Sequence, residues 1–251
     1  MKKKTLCAML AGAAMLAGCS GADMNGLLSS GMGLGKAAAL SDEDVIQLSN
    51  ASCEASDQQE KIAGAKSKYT VRLNKIMRGF AGETLNGQKP NYKVYITEDV
   101  NAWAMGNGCI RVYSGLMDMM NDDELRGVIG HEMGHVALGH SKRAMQIAYA
   151  ASAARSAAAS AGNSAVSALS QSELGDLSEA FINAQFSQSQ EYSADDFSFD
   201  LLTKKKMNRQ GLVTAFEKLA KLDGGESSML SSHPSSPDRA NRVRERLQSS
   251  K

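Results

Sequence analysis

Several features are scarce in this 251-residue chain, and each absence excludes something. Charge is nearly balanced: 28 Lys and Arg against 27 Asp and Glu, a formal net charge of +1. No basic field exists to hold a polyanion, so nucleic acid is excluded as a partner. No apolar run reaches the roughly 20 residues that a membrane-spanning helix needs. No internal repeat is visible, which argues against solenoids and arrays of helical repeats. Histidine occurs four times and cysteine four times. With so few of either, their positions become informative.

Lys2, Lys3 and Lys4 precede the apolar stretch Leu6 to Ala17, followed by Leu16-Ala17-Gly18-Cys19. A basic start, a short apolar segment and small residues before a cysteine read as a bacterial lipoprotein signal. The expectation is a signal peptide over 1–18, cleaved before Cys19, with Cys19 lipidated. An ordinary secretory signal with an incidental cysteine is the alternative. Loss of 1–18 leaves 25 basic and 27 acidic residues, a balance of −2. Lipid chains, not charge, would then hold the protein at a membrane. Ser20 after the cysteine suggests the outer membrane of a Gram-negative cell, with the chain facing the periplasm. Residues 19–40, rich in Gly, Ser and Met, read as the lipidated end and a flexible tether. Residues 41–251 are expected to form one domain. Processing removes Cys7 and lipidates Cys19, which leaves Cys53 and Cys109 in an oxidising compartment. They are expected to pair as a disulfide; two separate buried thiols are the alternative.

Downstream of Ser41 the pattern is helical, and a second helix is expected over 67–81 with Val71, Leu73, Ile76, Met77 and Phe80 inward. Tyr92–Thr97 and Cys109–Tyr113 read as strands. Asn121, with Glu124 three residues on, reads as a capping box. It opens a helix that carries Leu125, Val128, Ile129, Gly134, Val136 and Leu138 and is expected to run through His140. Gly130 and Gly134 on it allow close backbone approach. Ala144–Ser170, mostly Ala and Ser, offers little to bury and reads as a helical or mobile insertion. Leu174–Lys204 and Gly211–Leu222 are helical, Asp223-Gly224-Gly225 is a break, and Ser236-Pro237 starts a last helix.

The Asn121 helix contains His131-Glu132-Met133-Gly134-His135. Positions i and i+4 lie roughly 40° apart around a helix, so both imidazoles project from one face. They can share one Zn²⁺ at ~2.0–2.1 Å, with Glu132 beside them as general base. A catalytic zinc takes a third protein ligand. His140 lies about 180° from His131 on a continuous helix, and a metzincin would place its third histidine at 141, where Ser141 stands. His140 is therefore read as a helix-end residue. Glu191, with Asp195 one turn later, could supply a ligand and a carboxylate partner for a ligand imidazole. A solvated acidic face of Glu191, Asp195 and Asp196 is the alternative at this point.

His131-Glu132-x-x-His135 followed by Glu191-x-x-Ala194-Asp195 resembles the HtpX-like gluzincin family. Asn101-Ala102-Trp103-Ala104 and Ile110-Arg111-Val112-Tyr113-Ser114-Gly115-Leu116 resemble its upstream strand region, and His233-Pro234 with Arg239 resembles its C-terminal motif. The resemblance spans roughly 65–248. It implies an α+β fold: a mainly helical, zincin-like metallopeptidase domain with a small β-sheet before the motif helix. It implies one Zn²⁺ per chain on His131, His135 and Glu191, Asp195 behind them, and His233 near the metal as an oxyanion donor. Asn101, Ala102, Cys109, Ile110, Arg111 and Arg239 are the substrate-binding candidates, with the Cys109–Ser114 strand as the open edge to which an extended peptide adds. The expected activity is endopeptidase cleavage of unfolded or extended polypeptides in the cell envelope. Two rival readings are an envelope chaperone or assembly factor using the fold to bind peptides, and another zinc hydrolase. A deformylase would need Cys109 as a ligand. Envelope protein partners are unknown from sequence.

Overall fold

Ser41 accepts a hydrogen bond from the Asp44 amide, and the Asp44 carboxylate answers to the Ser41 amide. That reciprocal cap starts α1 (Asp42–Gln59), the first element in a computed structural model that describes residues 40–155, 169–222, 228–234 and 237–250. The segment expected to be a signal peptide and most of the expected tether, with Cys19, lie outside these residues, as do the expected Asp223-Gly224-Gly225 break and Ser236. In chain order follow α2 (Lys68–Arg78), β1 (Asn91–Tyr95), β2 (Ala102–Ala104), β3 (Cys109–Tyr113), α3 (Ser114–Met119), α4 (Asp122–Ala137) and α5 (His140–Arg155). Then come α6 (Gln171–Ile182), α7 (Gln188–Lys204), α8 (Gln210–Leu219), α9 (Ser228–Ser232) and α10 (Pro237–Ser249). Helices dominate and one small sheet precedes the motif helix α4, the α+β architecture expected from sequence.

The sheet order is β1-β3-β2, with β1 parallel and β2 antiparallel to β3. Side chains alternate across a strand, and the two faces carry separate cores. Val94, Ala102, Ala104, Ile110 and Val112 face down onto α4, where Leu125, Val128, Ile129 and Met133 join the larger cluster. Tyr95, Trp103, Cys109 and Tyr113 face up into a second cluster with α1, α5 and α6. Cys109 therefore meets Cys53 of α1, and the two form a disulfide with Cα atoms 6.6 Å apart. The bridge closes a 56-residue separation, worth about 4 kcal/mol in the chain-entropy model.

Four expectations change here. β3 lies between two partners, so it offers no open edge; β1 and the short β2 are the edge strands, and an isolated Ile62–Tyr95 bridge covers part of β1. Val71 is 57% exposed because α2 turns only Leu73, Ile76 and Met77 inward. Ala144–Ser170 is no loose insertion in its first half: Ala144, Met145 and Ala148 are buried on α5 in the upper cluster. Small side chains there let α5 sit close to its neighbours, which substitutes for bulk. Residues 156–168 lie outside the described chain. Last, Leu174–Lys204 is two helices, α6 and α7, joined through 183–187.

One ion cluster pins α1 to the sheet. The Asp57 carboxylate accepts from Arg111 Nε and Nη2, both 2.8 Å, from Lys93 Nζ at 2.6 Å and from the Tyr95 hydroxyl at 2.8 Å. Arg111 is 1% exposed. Burial pushes the Asp57 carboxyl up, but Arg111 and Lys93 pull it down further, and its pKa ends below the usual value. The stabilisation it gives is thus present above about pH 3.9, the ordinary carboxylate pKa, and is lost as pH falls through the depressed folded value. Asp57→Ala should cost about 3–5 kcal/mol, since it strands a buried guanidinium. Urea unfolding of the non-reduced protein measures it; a change within experimental error would show that Arg111 is rescued by water.

Candidate metal centre

Asn121 caps α4 by accepting from the Asp123 and Glu124 amides, and Glu124 returns a bond to the Asn121 amide. That fixes the start of the helix carrying His131, Glu132 and His135, all at most 2% exposed. Ser187 and Gln190 make the same reciprocal cap at the start of α7, which carries Glu191 in its first turn. The two helices touch through small residues. A Cβ on Gly134 would lie 3.1 Å from the Ala194 carbonyl oxygen and 3.2 Å from its Cα. Ala194 sits between Glu191 and Asp195, so this close approach sets the carboxylates against the imidazoles.

The result is a tight cluster. His131 Nε2 and His135 Nε2 are 3.0 Å apart. Glu191 Oε1 is 3.3 Å from His135 Nε2, and Oε2 is 3.6 Å from His131 Nε2. His233, just past α9, brings Nδ1 to 3.1 Å from Glu191 Oε1 and 3.3 Å from His131 Nε2. Ligand atoms of these four residues all lie within 4.8 Å of one another. Tetrahedral donors ~2.0–2.1 Å from a zinc stand about 3.3 Å from each other. With Glu191 Oε1 as its donor, four edges at 3.0–3.3 Å match that spacing.

The far side of each ring is also engaged. His131 Nδ1 is 2.8 Å from Asp195 Oδ1, and His135 Nδ1 is 3.1 Å from His140 Nδ1. Ligand imidazoles in metal sites are held this way, by a partner on the nitrogen that does not face the metal. Both Nε2 atoms are thereby turned towards each other, an arrangement that a shared cation satisfies. Burial holds the His135 pKa well below its usual value, so this imidazole is the neutral, ligating form. Burial would raise the Glu191 carboxyl, but His233, His131 and His135 overcome it, and Glu191 stays ionised far below the usual range. Asp195 is likewise pushed up by burial and pulled lower overall by Arg239 and His131. Glu132 goes the other way: burial raises it, and its Oε1 has no hydrogen-bond partner. Burial opposes protonation of His233, yet the facing Glu132 and Glu191 carboxylates raise its pKa. These donors, two imidazole nitrogens and a carboxylate, fit a borderline divalent cation.

Other expected site residues fall differently. Arg239 on α10 is 4% exposed and is consumed by the cluster itself: Nε and Nη2 donate to Asp195 at 2.9 and 2.6 Å, and Nη1 lies 2.5 Å from Glu191 Oε2. Its guanidinium stacks 4.2 Å from the Phe216 ring. It is a brace for the carboxylates, not a surface for substrate. Cys109, Ile110 and Arg111 are also withdrawn, into the disulfide, the lower core and the Asp57 cluster respectively. Ala102 lies over α4 on edge strand β2, and Asn101 directly precedes that strand. Asn101 is 1% exposed, and neither its amide nitrogen nor its oxygen has a partner.

His140 was read as a helix end; it is instead a helix start. Gly139 at φ +76° ends the motif helix and redirects the chain, which returns His140 to His135. Glycine in that position was the available signal. For the same reason Leu138, expected to be buried, is 45% exposed as the cap of α4. Phe186, whose ring centroid is 3.8 Å from that of His135, carried no signal in the sequence.

Two histidines one helical turn apart, a glutamate from a second helix and a buried glutamate beside them define a metallopeptidase of the gluzincin type. The sequence model of Peptidase family M48 matches residues 67–247, and the chain belongs to that family. It is 53% identical over 252 residues to Metalloprotease YcaL of Escherichia coli (strain K12), covering 99% of this chain and 98% of the relative. It is 53% identical over 248 residues to Metalloprotease LoiP of the same strain, covering 98% of each. A shorter similarity, 44% over 54 residues and 20% of this chain, links it to Protease HtpX of Thioalkalivibrio sulfidiphilus (strain HL-EbGR7), of which it covers 18%. The protein is a metalloprotease.

Proposed function

We propose that the protein is a zinc endopeptidase of the bacterial envelope, held to the outer membrane by lipid on Cys19, that cleaves unfolded or extended polypeptides facing the periplasm. The observation that carries the catalytic part is the pair of Nε2 atoms 3.0 Å apart with a carboxylate beside both. His131, His135 and Glu191 would hold the zinc. When bound, zinc supplies a Lewis acid that polarises the scissile carbonyl and makes water easier to deprotonate. Glu132 takes a proton from the attacking water on its carboxylate and passes it to the leaving amine. Asp195 and His140 fix the two imidazoles, and Arg239 fixes Asp195. His233 stands at the fourth corner of the donor set. Hydrolysis needs that corner for water and the carbonyl oxygen, so His233 serves by turning its N–H towards the oxyanion instead.

Substrate placement moves from β3 to β2. Antiparallel pairing directs Trp103 towards Arg111 and leaves the backbone groups of Ala102 and Ala104 on the outer side. Ser141 Oγ already donates to the Ala104 carbonyl, and the Met229 amide to that of Val100. Ala102 is then the point where a substrate main chain pairs, with the Asn101 amide next to it.

Among the described residues no helix is long and apolar enough to cross a membrane. The basic n-region, the apolar stretch and the small residues before Cys19 are what support a lipid anchor. For the metal, casein cleavage by zinc-loaded protein should stop on treatment with a chelator and return with one equivalent of zinc. Unchanged cleavage by protein holding less than about a tenth of an equivalent of any metal would overturn the reading.

A further inference from the structure

A second concavity lies on the upper face of the sheet, unused by the chemistry above. It is an open concavity of about 280 Å³ between α1, α6 and the strand ends around Asn101. Glu60 at the end of α1, Glu179 on α6 and Asp99 before β2 bring carboxylates to it, and among the described residues no Lys, Arg or His lines it. Acidic groups alone make no site, but the floor adds a separate observation. Asn101 lines the cavity at 1% exposure with both amide atoms unpartnered. A buried amide in that state lacks one acceptor and one donor, which is what a peptide unit provides.

The cavity adjoins the cleavage site along two paths. Asn101 directly precedes Ala102, where substrate pairing is placed. Asn183 lines the cavity, and Phe186, stacked on His135, follows three residues later, at most about 11 Å of chain. That leg alone takes about three or four residues of an extended peptide, and the Phe186 ring then carries the path on to His135. We propose that this cavity is a specificity subsite for a basic side chain, Lys or Arg, of the polypeptide being cut, a few residues from the scissile bond. The inference rests on the endopeptidase reading. Asn101 bonds the passing main chain, and the basic head sits among Glu60, Glu179 and Asp99. Its volume suits a long side chain rather than a bare ion.

The test uses zinc-loaded protein and quenched peptides sharing one mapped cleavage site among neutral residues. A single Lys is moved from position to position, with Ala and Glu controls. The Lys-to-Ala ratio of kcat/KM should peak at one position at about 5–10-fold, the effect of two or three partly exposed ion pairs. Glu there should fall below Ala. In Glu60→Gln/Glu179→Gln the ratio should drop towards one, and in Glu60→Lys/Glu179→Lys it should invert. A ratio flat at every position in the wild type overturns the proposal, as does an optimum unaltered in both double variants. So does a cation site instead: millimolar Ca²⁺ raising Tm in wild type but not in Glu60→Gln/Glu179→Gln, with no Lys optimum. If no peptide is cut at all, the endopeptidase reading fails, and fluorescence anisotropy of the Lys and Ala peptides on zinc-loaded Glu132→Gln decides the subsite by the same ratios.

Discussion

Glu132→Gln is expected to keep zinc at one equivalent and to lower kcat for casein or a quenched peptide by about 10²–10⁴-fold, the usual loss for a general base. The substitution keeps shape and removes only the proton acceptor. Glu132 is 2% exposed, and its Oε1 faces His233 Nε2 at 3.6 Å without a hydrogen bond. It lies outside the group of donors that converge on one point, so metal content should not change. Its pKa is raised chiefly by burial. A raised value makes the carboxylate a stronger base, and the acid limb of kcat/KM should lie above the ordinary carboxylate range; that limb should disappear in the variant. The same protein separates proteolysis from peptide holding. If Glu132→Gln restores envelope function fully in a deletion strain, the chaperone reading wins. If it restores none while accumulating to normal levels, cleavage is what the cell needs. Wild-type turnover by the variant would remove Glu132 from the mechanism.

What the sequence made legible follows the range of the forces involved. Local geometry was readable. The Asn121–Glu124 cap, the imidazoles at i and i+4 and the helix around Glu191 depend on a few neighbouring residues, and all stand as expected. Pairings across the fold were readable only where chemistry left few options, as for Cys53 and Cys109, the pair expected to remain if Cys7 is removed and Cys19 lipidated. Strand order depends on contacts between distant segments. Cys109–Tyr113 is the more hydrophobic strand and took the centre of the sheet, while three residues at Ala102–Ala104 took an edge. Arg239 was a substrate-binding candidate through the resemblance of its motif. Only the folded state shows two carboxylates already claiming it. The motif helix was expected to run through His140, but Gly139, in the left-handed region, ends it first.

Glu191→Ala should lose the metal. After dialysis against metal-free buffer, wild type is expected to hold close to one zinc per chain and the variant less than about a tenth. The two imidazoles that remain cannot close the site alone. His233 could offer a third nitrogen, since its Nδ1 is 3.3 Å from His131 Nε2, but then no carboxylate balances the charge of the dication. Removing Glu191 also takes away one of the two carboxylates that hold Arg239, leaving Asp195. Asp195→Asn provides the graded comparison. Asp195 touches His131 from behind at Nδ1, so its loss should weaken zinc by about 10–100-fold, the range for a partner of a ligand, and leave detectable turnover. The order wild type, Asp195→Asn, Glu191→Ala is therefore expected in both zinc affinity and kcat/KM. A Glu191→Ala protein with full zinc by elemental analysis would mean that the third donor is another residue, His233 being the nearest. A Glu191→Ala protein that binds zinc more tightly than Asp195→Asn would reverse the assigned roles of the two carboxylates.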